Sequence, residues 1–143
     1  MRIASVTRKL RRFGELSLAD KWLLIRAAAW LGIARLRLAI TPFQKLVDGL
    51  SEEQGASAPD PDLLERVGFA VSAAAANVPW RSDCFPQTIA ARSLLKAYGL
   101  GSTVHLGVDR VGQDDLSGHA WLTCGDTVVT GGADLDRYTE VHR

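Results

Sequence analysis

Between Ser17 and Thr41 the apolar positions are dense and recur at helical intervals, with Trp22, Leu23, Ile25, Ala29, Trp30 and Ile33 along the run. Ser17-Leu18-Ala19-Asp20 opens it in capping-box fashion, a hydroxyl and a carboxylate being available for free backbone amides. Thr41-Pro42 closes it, because proline disfavours helix at the residue before it. Trp22 and Trp30, eight residues apart, are expected on one helical face, as core or partner-contact residues. Phe43 to Leu50 predicts a short second helix. Residues 48–61, DGLSEEQGASAPDP, have linker composition. They divide an N-terminal helical segment, 1–50, from a core, 60–143. Asp60-Pro61 reads as an N-cap followed by a first-turn proline, opening a helix through Leu63, Leu64, Val67, Val71 and Ala74.

The segment from Val78 to Asp83 breaks that helix and delivers the chain to another, from Cys84 to Tyr98 with Gly99 as its cap. Pro86 is tolerated only inside a first turn, where no intrahelical amide bond is lost, and that constraint sets Cys84 at the helix start. Beyond Gly101 the period changes from helical to alternating. Val104, Leu106 and Val108 share one face of a strand, and Thr103, His105 and Gly107 the other. Gly118 to Cys124 predicts a second strand, Gly125-Asp126 a two-residue turn, and Thr127 to Thr130 a third strand. The polar stretch RVGQDDLSG between the first two reads as a loop. The fold class expected is α+β, with helices followed by a small antiparallel sheet.

Composition leaves this picture intact. The 143 residues, 47% apolar and 23% charged, suit a folded protein with one core or a small core plus a helical appendage. Net charge is +1. Arg2, Arg8, Lys9, Arg11 and Arg12 crowd the start, while Glu52, Glu53, Asp60, Asp62 and Glu65 cluster later, so polarity is local and no strong global field results. Basic residues are not interleaved with aromatics, which gives no footprint for nucleic acid. The start lacks the layout of a signal peptide, and a cytoplasmic location is expected. Arg26, Arg35 and Arg37 interrupt the apolar run from Trp22 to Ile40, which argues for burial against protein or shallow membrane contact instead of a span. Two cysteines exclude a disulfide framework. Their spacing is not that of a structural zinc site, so no metal is expected.

The candidate chemistry centres on Cys84 and His119. A thiolate is stabilised by a helix N-terminus and a neighbouring imidazole, and Cys84 meets the first condition by position. His119 meets the second if its strand lies beside that helix. It shares a strand face with Trp121 and Thr123, whereas alternation sends Cys124 to the opposite face as a buried structural thiol. The free amide of Cys84 is the candidate oxyanion donor, with the Gln87 side chain a weaker one. Trp80 and Trp121 are expected to wall the cleft, and Arg81 either holds an acidic substrate group or caps the loop. His105 reads as a plain strand residue.

Trp80-Arg81-Ser82-Asp83-Cys84-Phe85-Pro86, a helix ending Leu94-Leu95 and Tyr98-Gly99, and then Gly118-His119-Ala120-Trp121 together resemble the transglutaminase-like cysteine peptidases that mature lasso peptides. The similarity is to their stand-alone form and runs from about Trp80 to the C-terminus. It implies a transglutaminase/papain-like core in which Cys84 attacks the scissile carbonyl and His119 manages the proton. The leader of a precursor peptide would be removed without a cofactor, in concert with a separate leader-recognition protein and an ATP-dependent lasso cyclase. Other Cys-His acyl transferases, of transglutaminase or arylamine acyltransferase type, are the enzyme alternatives. A non-catalytic scaffold binding through the Trp22 to Ile40 helix is the alternative of a different class.

The resemblance also implies an aspartate about a dozen residues after the histidine, where this chain reads Thr130-Gly131-Gly132. Asp126 at the hairpin tip is six strand steps from His119, roughly 20 Å at about 3.3 Å per residue, too far to accept its hydrogen bond. An unbroken register pairing Cys124 with Thr127 sets Gly132 opposite His119 and brings Asp134 close. Asp134 is therefore the expected orienting acid, with Asp136 behind it and a backbone carbonyl or asparagine-like group as the substitute.

Overall fold

The computed structural model of the chain describes residues 11, 14–48, 60–80, 82–111, 115–132 and 139–140. Helices α1 (Leu18–Ile40), α2 (Phe43–Asp48), α3 (Pro61–Asn77) and α4 (Cys84–Ala97) precede strands β1 (Thr103–Val111), β2 (Asp115–Cys124), β3 (Thr127–Thr130) and β4 (Thr139–Glu140). The helix ends follow from local chemistry. At α1 the Asp20 amide donates to Ser17 Oγ over 3.2 Å, and the Ser17 hydroxyl donates to the Asp20 carboxylate over 2.8 Å. At α3 the Asp62 amide donates to Asp60 Oδ1 over 3.1 Å. The α4 C-terminus closes as a Schellman motif, Gly99 N–H bonding Lys96 O and Leu100 N–H bonding Leu95 O, with Gly99 at φ 75°.

One core joins the layers. Leu23, Ala27 and Leu31 of α1 pack with Leu64, Val67 and Val71 of α3, Leu94 and Leu95 of α4, and Leu122 and Cys124 of β2. Alanines in the buried row of α1 let the helices approach closely. The two tryptophans of α1 differ from the expectation of a common face: Trp22 is 62% exposed, whereas Trp30 packs against the core. Eight residues turn a helix by about 80° beyond two full turns, enough to separate them. Leu18, Trp22, Ile25, Ile33, Leu36 and Ile40 form an exposed apolar row on the outer side of α1. On α3, a Cβ added at Gly68 would lie 2.6 Å from the Val129 carbonyl oxygen, so this helix touches β3 backbone to backbone.

The sheet order is β3-β2-β1-β4, with every pair antiparallel. Ala120, Leu122 and Cys124 face the helices; His119, Trp121 and Thr123 take the reverse face of the pleat. Two expectations are corrected. The stretch read as a loop is largely ladder, since Arg110 pairs with Leu116 and Val111 with Asp115. Polar composition suggested a loop, but a paired backbone tolerates polar side chains. The hairpin register is also not continuous: Cys124 pairs with Thr127 and Thr123 with Val128, but Leu122 pairs with Thr130. A bulge between Leu122 and Thr123 shifts the pairing by one residue, so the unbroken alignment of Gly132 with His119 is not formed. Strand β4, against the far side of β1, was not anticipated.

Candidate active site

Cys84 is the first residue of α4 and is half-buried. Pro86 in that first turn has no amide hydrogen, and Gln87 N–H already bonds Asp83 O over 3.3 Å. The amide of Cys84, at the very start of the helix, is therefore a donor that this helix start has to offer. Asp83 precedes it as N-cap without a side-chain capping bond. The Gln87 side-chain amide donates to Ser82 O over 2.9 Å, so its role here is to fold the loop onto the helix.

Cys84 packs against the cluster formed by Ala34, Phe85, Ile89 and Ala120. Ala120 precedes Trp121 and follows His119 on β2, so the nucleophile candidate and the base candidate stand on adjoining elements. Their side chains are presented from the two sides of β2, and among the described residues no hydrogen bond joins them. The structure brings the two elements together and leaves the two side chains apart.

Among the described residues, two contacts hold the His119 ring. Its Nε2 lies 2.7 Å from the carbonyl oxygen of Gly131. A carbonyl can only accept, so Nε2 carries the proton in this contact. The ring also stacks on Trp121, with centroids 6.0 Å apart and planes 21° from parallel. On its other side Trp121 stacks on His105 at 5.3 Å and 8°, and His105 Nε2 is hydrogen-bonded to Thr123 Oγ1 at 2.8 Å. Trp121 is thus a buried partition between two imidazoles.

Trp80 is 38% exposed and rests on α1, where a Cβ added to Gly32 would lie 3.3 Å from its ring. Arg81, Asp134 and Asp136 lie outside the described residues. Asp126 sits in the exposed turn after Gly125, at the far end of the strand from His119. Cys124 is buried on the opposite face, and burial pushes its thiol pKa up. Among the described residues no cluster of histidine, cysteine, aspartate or glutamate could hold a metal ion, and no helix is long and apolar enough to cross a membrane.

Sequence reasoning allowed a backbone carbonyl as the partner of His119 but did not name Gly131, whose carbonyl makes that contact. The signal available was the carboxylate-free Thr130-Gly131-Gly132 itself, a glycine pair where an acceptor was needed. His105 and Thr123 were likewise read as ordinary strand positions.

Residues 27–143 match the model of the transglutaminase-like superfamily. No curated protein and no solved structure matches the chain.

Proposed function

The chain belongs to the transglutaminase-like superfamily, and from that premise we propose that it is a cysteine peptidase removing the leader from a lasso-peptide precursor. The observation that carries the reading is Cys84 as the opening residue of a helix packed on β2 beside the Gly118-His119-Ala120-Trp121 segment. The Cys84 thiolate attacks the carbonyl of the last leader residue, and the amide of Cys84 faces the developing oxyanion. His119 accepts the thiol proton and passes it to the departing amine, so the core peptide leaves with a free N-terminus. Water then cleaves the thioester and releases the leader as a carboxylic acid. No cofactor enters these steps. Ring closure, which consumes ATP, belongs to a separate cyclase, and a separate leader-binding protein presents the precursor.

The test is incubation of precursor peptide with this chain and the leader-binding protein, followed by mass analysis. Leader acid and core amine are expected from the wild type, and Cys84→Ala or His119→Ala should each lower cleavage by about 10³-fold or more. Leader joined to an added amine would point instead to an acyl transferase of the same superfamily. The exposed apolar row on α1 favours a second reading, a non-catalytic scaffold of the biosynthetic complex. Full processing by Cys84→Ala would establish that reading and end the peptidase one.

A further inference from the structure

We propose that the outer face of α1 is a docking seam for an amphipathic helix of another protein, one whose apolar row is flanked by acidic side chains where it meets Leu36 and Ile40. The row Leu18, Trp22, Ile25, Ile33, Leu36 and Ile40, with Ala29 in its middle, repeats every eleven residues: Leu18 to Ala29 to Ile40, Trp22 to Ile33, and Ile25 to Leu36. On an α-helix these positions lie within about 80° of one another, along about 33 Å of axis. The six large side chains are 40% to 84% exposed, and Ala29 is exposed as well. On the opposite side of the helix Leu23, Ala27, Leu31 and Ala34 are buried. The helix is therefore apolar on two faces, a pattern that belongs to helices covered on both, and this chain covers one.

The row itself says what kind of partner covers the other. A narrow apolar row with an eleven-residue repeat is the seam of a shallow right-handed pair of helices. Ala29, small between Ile25 and Ile33, leaves a notch for a partner side chain. Arg35 and Arg37 stand about 100° to either side of Leu36; both are exposed, and neither makes an ion pair among the described residues. Asp20 is the one carboxylate of α1, and Ser17 and Arg66 already hold it. The flanks thus call for acid on the partner. A second copy of this chain fits poorly, because an antiparallel pair would set Arg37 against Lys21 and a parallel pair would set the arginines against themselves. A bilayer takes up helices whose charged face lies opposite the apolar one, and opposite this row lies the core. The seam also adjoins the candidate site: Trp80, four residues before Cys84, rests on Gly32 of this helix. It does not depend on the chemistry at Cys84.

Fluorescence anisotropy on the full-length chain tests the seam with two synthetic helical peptides of the length of α1, 23 residues. Both carry leucine along the same eleven-residue repeat, and they differ only in having glutamate or lysine on the flanks. The wild type should bind the glutamate peptide about tenfold more tightly, as for exposed charge pairs exchanged for repulsions. Arg35→Glu with Arg37→Glu should reverse the order, and Ile33→Ser with Leu36→Ser should abolish binding of both peptides at an unchanged Tm. If the serine pair lowers Tm, the charge reversal alone decides. Equal binding of the two peptides, or none, overturns the proposal. Cosedimentation of the wild type with phosphatidylserine vesicles, lost in the serine pair, overturns it in favour of a lipid surface. A wild-type dimer in analytical ultracentrifugation that the serine pair dissociates overturns it in favour of a second copy.

Discussion

Cys84 and Cys124 are the same residue type under opposite conditions. Cys84 is half-buried at a helix start, whereas Cys124 is 2% exposed and desolvation raises its thiol pKa. A raised thiol pKa means less thiolate at neutral pH, and thiolate is the reactive form. A thiol reagent applied to the native protein should therefore modify one cysteine rapidly, and Cys84→Ala should abolish that fast phase. Two fast equivalents in the wild type would contradict the burial of Cys124. Both placements were legible in the sequence, the first because Pro86 admits only a first-turn position and the second because alternation opposes Cys124 to His119. Gly131 was not, since a carbonyl direction set by a positive φ and a register shift leaves no mark on residue identity.

At the scale of elements, α1 and α3 are joined by Asp20 and Arg66. Arg66 Nε and Nη2 each approach Asp20 Oδ1 to 2.8 Å, and the Ser17 hydroxyl donates to the same carboxylate. The Ser17 bond first, then Arg66, holds the Asp20 carboxyl below its ordinary range. A depressed carboxylate stabilises the fold above the unfolded pKa of about 4, and that stabilisation is lost as pH falls through the folded pKa. Asp20→Asn should lower Tm at neutral pH, and the difference from the wild type should close in strong acid. An equal difference at both extremes would assign the loss to something other than charge. The exposed position of the pair keeps the expected shift small. Helix ends such as these were legible because caps act within four residues. The ends of β1 and β2 were not, because Asp109 to Val111 and Asp115 to Ser117 are strand by virtue of each other, and the bulge is likewise a property of a pair of strands.

Over the whole molecule, the buried row of α1 is shared with α3, α4 and β2. The linker-like composition of residues 48–61 marked a change along the chain but said nothing about whether the segments on either side share a core. Removing residues 1–42 would uncover Leu64, Val67, Val71 and Leu94 together, several fully buried side chains at about 1.5–3 kcal/mol each, against a net stability of order 10 kcal/mol for a domain. The truncated chain should lose cooperative thermal unfolding by circular dichroism and run as an aggregate in gel filtration. A monomeric, cooperatively melting 43–143 fragment would show that α1 is an accessory.

The bulge in the β2–β3 hairpin also has a consequence for how such a site is lost or overlooked over generations. If the acceptor for His119 comes from the main chain, deleting a single residue from β3 leaves Cys84, His119, Trp121 and His105 all present in the gene while turning the carbonyl away. A frame-preserving deletion, more than a point substitution, then becomes the simplest inactivating event. Hairpin length would then be the character that separates working copies from broken ones.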